Sequence, residues 1–302
     1  MPIITKDPTI RDDDALRFET YRNYLFRISE LIRDTHTNWG NFAVACVDAT
    51  RSLRPIHEPD LKYLRRFLGI AWNTESLIQE QPTDIELIRI NNAWLPVQAY
   101  YSIYAASETI AYAVDGAYAG SHQKALRKAT DFLVKLPIKP WNLAYSGTCG
   151  RDQRQHQPKN FPFGTVPAHN LSGTSASHLN VIATCLKAEH YNRIDAEYKR
   201  SKKFKYQYDP GYTGLLHFLY RLRILSNYRG VELFIVEGSD DDIRSFSDSL
   251  RWIVEWTLTY FEIVLLRKFR RRVITDLAKD FLSRNPRAYK LEERIDGYQK
   301  LY

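Results

Sequence analysis

The chain has 302 residues, 44% of them hydrophobic and 13% aromatic, enough apolar material for one large domain or two small ones. Charged residues at 26% exclude wholesale disorder, and three scattered cysteines, Cys46, Cys149 and Cys185, exclude a disulfide scaffold. The surplus of 43 Lys and Arg over 35 Asp and Glu, +8 in all, suits a polyanionic partner.

Residues 1–11 read as a loose leader without the apolar core of a signal peptide, and no apolar run approaches the ~20 residues that span a bilayer. The expectation is a cytoplasmic protein with no membrane contact. Asp12, Asp13 and Asp14 are helix caps, followed by Phe18, Tyr21, Leu25, Ile28 and Ile32 at alternating three and four spacing. Residues 41–49 allow a short helix, and Asp60 opens another with Leu61, Leu64, Leu68 and Ala71 on one face. Residues 84–136 hold two helical patterns. Pro96 divides the first, because a proline inside a helix costs about 3 kcal/mol. Tyr100, Ile103, Tyr104, Ile110, Ala111 and Val114 mark the face that follows; Gly116 and Gly120 break it, and Ser121 opens the next helix.

Residues 137–180 carry Pro137, Pro140, Pro158, Pro162 and Pro167 and no sustained period, the character of a long functional loop. A helix resumes near His178 and runs through Tyr198. A basic, aromatic run follows: Lys199, Arg200, Lys202, Lys203, Phe204, Lys205, Tyr206 and Tyr208. Residues 215–226 are helical, and 227–238 form a linker in which VELFIV has strand character. Ser239 with Asp242 makes a capping-box start, and Leu250, Ile253, Val254, Leu258, Phe261, Val264 and Leu265 a buried stripe. The cluster Arg267, Lys268, Arg270, Arg271 and Arg272 closes it, and no element is assigned beyond. The reading is a mostly α fold: an N-terminal helical region, 1–83, and a helical bundle, 84–302, with an insertion at 137–180.

The motifs GxxxxGK[ST], GxGxxG, GxSxG, CxxC and HExxH are absent, so common ATPases, Rossmann oxidoreductases, α/β-hydrolases and zincins are not expected. Cys149-x6-His156 and Cys185-x4-His190 match no standard zinc finger, and Cys185 in its apolar helix reads as a buried thiol, so no metal or cofactor is expected. The sharpest local signal is YRLRILSNYRGVELFIVEG, 220–238, with Arg221, Arg223, Asn227 and Arg229. If the helix stops near Ser226, Arg221 or Arg223 converges with Asn227 on one anion, since the planar guanidinium suits phosphate. The plainer alternative is a solvated helix end whose cations complement the dipole. In the run 199–208 the lysines suit phosphates and Phe204, Tyr206 and Tyr208 suit stacking on unpaired bases, against an alternative of a solvated end packed on the bundle. A literal Arg-x4-His, Arg151 to His156, lies in the Pro/Gly loop. Tyr100, Tyr101 and Tyr104 read as core or dimer packing rather than a binding box.

The segment AYYSIYAASETIAYAVDGAYAGSHQKALRKATDFL, 99–133, with Ser121, His122, Gln123 and Lys124, resembles the early helices of HEPN-superfamily proteins. RLRILSNYRGVELFI and LRWIVEWTLTYFEIVLL resemble their closing part, an Arg-rich turn followed by a long apolar helix. The resemblance implies a helical bundle, often dimeric, and a prokaryotic defence or toxin–antitoxin setting. Active members are metal-independent endoribonucleases with an Arg-x4–6-His motif, whose arginine holds phosphate and whose histidine does acid–base work. Counting from Arg221, the histidine position here holds Asn227, which exchanges no proton near neutral pH. The expectation is therefore an RNA-interacting protein, with Arg221, Arg223 and Asn227 at its phosphate site. Any cleavage would take its histidine from the loop, His156, or from a partner. The alternative is a non-catalytic subunit that dimerises or neutralises a partner protein.

Overall fold

Helices in this chain begin where a short polar side chain takes the first free amides. The side chains of Asn38 and Asp60 accept from the amides of Asn41 and Tyr63 at 2.9 and 3.0 Å. Asp84 accepts from Glu86 and Leu87, Ser121 from Lys124, and Ser239 and Asp242 cap each other reciprocally. Each cap supplies an acceptor to amides that have no partner within the helix. Pro96 lies in the first turn of its helix, where the missing N–H costs nothing, and Gly116 ends that helix at φ 74°, a left-handed position suited to glycine.

In the computed structural model, residues 14–56, 58–80, 82–149, 156–158, 174–201, 210–228 and 239–301 are described. Their order is α1 (Asp14–Thr35), α2 (Trp39–Ala49), α3 (Leu61–Gln79), α4 (Ile85–Asn91), α5 (Leu95–Asp115), α6 (His122–Leu133), β1 (Ala144–Tyr145), β2 (Gly147–Cys149), β3 (His156–Pro158), α7 (Thr174–Ser201), β4 (Thr213–Gly214), α8 (Leu215–Tyr228), α9 (Asp240–Lys268), α10 (Arg271–Arg284) and α11 (Tyr289–Leu301). The mostly α class read from the sequence is the class observed. The strands form two antiparallel pairs, β1 with β4 and β2 with β3.

α5 is buried on nearly every side and packs against α3, α6, α8 and α9. One hydrophobic core draws on every helix but α4. It therefore takes in α1, α2 and α3, from the first 83 residues, together with the helices of the bundle. No helix among the described residues is long and apolar enough to cross a membrane.

Several elements differ from the sequence reading. α7 begins at Thr174, before His178, and α8 runs on to Tyr228 rather than stopping near Ser226. Two unassigned helices, α10 and α11, follow the basic cluster. Their apolar residues Ile274, Leu277, Phe281, Leu291, Ile295 and Tyr298 are buried in the common core. A charged clamp holds the ends of this arrangement together. Arg294 of α11 donates Nη1 and Nη2 to Glu75 of α3, both at 2.7 Å, and Nε and Nη2 to Glu262 of α9, both at 2.9 Å. Tyr298 and Trp72 also donate to Glu262, at 2.6 and 2.8 Å. Beside the clamp, Gly297 lies so close to the indole of Trp39 that a Cβ there would collide with it.

Candidate functional site

A helix turns about 100° per residue, so Arg221 and Arg223 leave α8 about 200° apart. Because α8 continues through Asn227, Arg221 and Asn227 are about 120° apart around it and do not converge, while Arg223 and Asn227 share a face. Arg221 turns toward α7, where its charge acts on the buried carboxyl of Glu189. Arg223 turns toward α5 and α6. Its Nη2 donates to the Tyr101 hydroxyl at 3.0 Å, and its guanidinium carbon lies 5.6, 5.3 and 6.0 Å from the rings of Tyr100, Tyr101 and Tyr220. Three aromatic faces around one guanidinium hold it by cation–π attraction and fix its plane. Asn227, four residues on, leaves the last turn of α8 on the same side as Arg223.

His122 is the residue the sequence reading missed. It is the first residue of α6, behind the Ser121 cap, and its ring stacks on Tyr104 with centroids 3.8 Å apart. Its Nδ1 shares a 3.0 Å hydrogen bond with the Tyr100 hydroxyl. Burial, and then the nearby Arg223 charge, push the His122 pKa below its ordinary value, while Glu108 pulls the other way. The imidazole is therefore neutral at neutral pH. Glu108 is buried and bonded to the neighbouring phenols, accepting from Tyr104 and, at 2.8 Å, from Tyr63. Burial raises the pKa of Tyr100, Tyr104 and Tyr63, so all three hydroxyls stay protonated. The tyrosines read as packing residues do pack, but Tyr101 and Tyr104 are only half-buried and build the cage around Arg223 and His122. His122 lies within the quoted Ser-His-Gln-Lys stretch. No local spacing links it to Arg223, because the two meet only through α5.

Of the other residues singled out, His156 lies in β3 opposite Cys149, with its backbone alone described. Lys199 and Arg200 are in the last turn of α7, likewise as backbone. Lys202, Lys203, Phe204, Lys205, Tyr206 and Arg229 lie outside the described residues, as do residues 1–11 and the VELFIV segment. Cys185 is a buried thiol, as read.

On the Arg221 side of α8 the structure builds a second, closed polar cluster. Arg193 donates to the carbonyls of Tyr212 and Pro210 at 2.9 and 2.8 Å, and to the Thr213 hydroxyl at 2.6 Å. His190 shares a 2.9 Å bond with that same hydroxyl. His217 accepts from the amide of Gly214 at 3.4 Å, and burial holds its pKa well below the ordinary value. These groups are internally satisfied and tie β4 to α7, a structural rather than a chemical arrangement. The Arg223–His122 cage, half-buried and carrying a cation beside a neutral imidazole, is the better candidate.

Comparison with known protein families, curated proteins and solved structures finds no match to this chain. The functional reading accordingly rests on the residues of the site.

Proposed function

We propose that this chain is an RNA-interacting protein of the HEPN-like kind, from a prokaryotic defence or toxin–antitoxin setting, and that the Arg223–His122 cage is its phosphate-handling site. The observation that carries the reading is the meeting of two segments distant in sequence. The Arg-rich end of α8 and the Ser-His-Gln-Lys start of α6, the two stretches on which the family resemblance rests, face each other across α5.

The chemistry that fits is cleavage of an RNA strand by its own 2′-hydroxyl. With Nδ1–H donating to Tyr100, His122 presents Nε2 as a general base to that hydroxyl. The 2′-oxygen attacks phosphorus, and the 5′-oxygen leaves with a proton from solvent. Arg223 places its fixed positive charge against the phosphate oxygens as negative charge builds there. No step calls for a metal ion. His122 thus does from another helix what Asn227 does not.

A second reading has its own support. Leu87, Ile90 and Trp94, at and just beyond α4, are 53%, 59% and 58% exposed, an apolar stripe suited to a partner protein. With Asn227 at the family's histidine position, the chain would then be a non-catalytic interaction subunit.

The test is cleavage of single-stranded RNA by the full chain with EDTA present. The expected result is cleavage that Arg223→Ala and His122→Ala each reduce by about 10²- to 10⁴-fold, while Arg221→Ala leaves it within a few-fold. Loss on Arg221→Ala with retention on Arg223→Ala would overturn the assignment of the site. No cleavage by the parent chain, with a stable complex on a protein partner, would establish the second reading.

A further inference from the structure

Between the α1–α2 turn, the middle of α9 and the start of α11 lies a cavity of about 510 Å³. Part of its wall is flat and aromatic, and the rest is polar or charged. Trp39, Trp252, Trp256 and Tyr289 line it, Trp252 and Trp256 stack at 5.2 Å, and the Arg33 guanidinium lies 4.6 Å from the Trp252 ring. Four polar atoms of the lining residues are sealed from solvent and have no hydrogen-bond partner: Trp39 Nε1, Gln79 Nε2, Arg251 Nε and His36 Nε2. His36 and Gln79 are 7% and 9% exposed, so these are interior groups rather than surface ones. Unpaired buried polar atoms are costly, and four of them on residues that line one cavity require an explanation.

Their chemistry defines a ligand edge. The first three are N–H donors. Burial keeps the His36 imidazole neutral, so the ring carries one N–H and one acceptor nitrogen. The charges at the wall are compensated. Arg251 pairs with Asp248 at 3.6 Å, Lys290 with Glu255 and Glu293 at 3.3 and 3.4 Å, and Arg33 with Glu30 at 2.7 Å. The wall therefore suits a neutral planar group rather than a bare anion, and one richer in acceptors than in donors.

We propose that this cavity binds a nucleobase, stacked on Trp252 in the place the Arg33 guanidinium now takes. Its carbonyl and ring-nitrogen acceptors face Trp39 Nε1, Gln79 Nε2 and Arg251 Nε, and one ring N–H faces His36 Nε2. Because the four atoms are sealed, seating the base requires side-chain movement at the wall, which places tryptophan emission among its reporters. The base belongs either to a free nucleotide or to an unpaired position in an RNA strand. The inference does not depend on the Arg223–His122 site, since binding here is read directly and not through cleavage.

The experiment titrates the full chain with GMP, UMP, ribose 5-phosphate and an eight-nucleotide single-stranded RNA, followed by tryptophan fluorescence and calorimetry. The expected result is saturable quenching by a mononucleotide, none by ribose 5-phosphate, and about tenfold weaker binding in Gln79→Met, the loss of one hydrogen bond. Trp252→Ala abolishes the signal, and Trp252→Phe, which keeps a flat ring, retains binding with lower affinity. Binding of the RNA alone, with the same response to Gln79→Met and Trp252→Phe, identifies the strand as the source of the base. Equal binding of ribose 5-phosphate, an affinity unmoved by both Gln79→Met and Trp252→Phe, or no binding of any probe overturns the proposal.

Discussion

His122 joins two properties that are seldom found together, a basic nitrogen and a neighbouring fixed cation. Burial and the Arg223 charge both disfavour imidazolium, so its pKa lies below the ordinary value of 6.5. A depressed histidine stabilises the fold fully above the unfolded value, and that stability is lost as pH falls through the lower folded value. His36 and His217 are shifted in the same direction. The contribution of these histidines to thermal stability is therefore expected to drop from pH 7.5 to pH 5, and the difference between the parent chain and His122→Gln should shrink with it. Denaturation midpoints at the two pH values check this. If His122 is the base, the cleavage rate should rise with a midpoint below pH 6.5, whereas an unshifted histidine elsewhere would place the midpoint near 6.5. Arg223→Ala should move that midpoint upward, because the Arg223 charge lowers the His122 pKa.

At the scale of the elements, the clamp of α3, α9 and α11 sets one guanidinium against two carboxylates. Arg294, Glu75 and Glu262 are all 2% exposed. Desolvation, reinforced by the neighbouring Glu262 and opposed by Arg294, pushes the Glu75 carboxyl up to about 7. A raised carboxyl contributes stability that is complete below its unfolded value and is lost as pH rises through about 7. The Glu75 contribution should therefore fall between pH 6 and 9, and Glu75→Gln should remove that part of the pH dependence while losing one of the two bonds to Arg294. Arg294→Met leaves two carboxylates buried without their cation and should cost about 3–5 kcal/mol. Urea denaturation at pH 7 reads the second effect, and midpoints from pH 6 to 9 the first. An equal loss in the two variants, with the pH slope intact, would show that the clamp is held by packing alone.

For the whole molecule, the charge of +8 makes salt the first variable for any nucleic-acid partner. RNA affinity should fall linearly in a log–log plot against salt, with a slope of about −0.7 per phosphate contacted. Replacing Lys202, Lys203 and Lys205 by Glu should reduce both the affinity and the slope, and unchanged values would remove that segment from the interface. The local devices of the fold were legible in the sequence, because a cap or a breaker acts within one turn. Asp60, Ser121, Ser239 and Pro96 each mark a helix start where the spacing predicted one. α10 and α11 were not legible because the arginines at 267–272 dominate their approach and their apolar residues acquire meaning only against α3 and α9. The cage was half legible. Arg223 stood out by its composition and Asn227 by its position, but His122 becomes a partner only when α5 brings α6 beside α8. The convergence of Arg221 with Asn227 depended on α8 ending two residues earlier than it does.

Gly297 gives the middle of α11 a hydrogen where any other residue would press into Trp39. Glycine inside a helix is disfavoured by about 1 kcal/mol relative to alanine, yet here alanine would gain propensity and lose a seat. The indole that rests on Gly297 is one of the three that wall the tryptophan cavity, so the tightness of α11 sets how far that wall can part. Gly297→Ala should shift the tryptophan emission spectrum and alter nucleotide affinity by displacing Trp39, with no residue of the cavity wall itself substituted. The closing helix would then behave as an adjusting screw on a chamber built mainly by residues far from it in sequence.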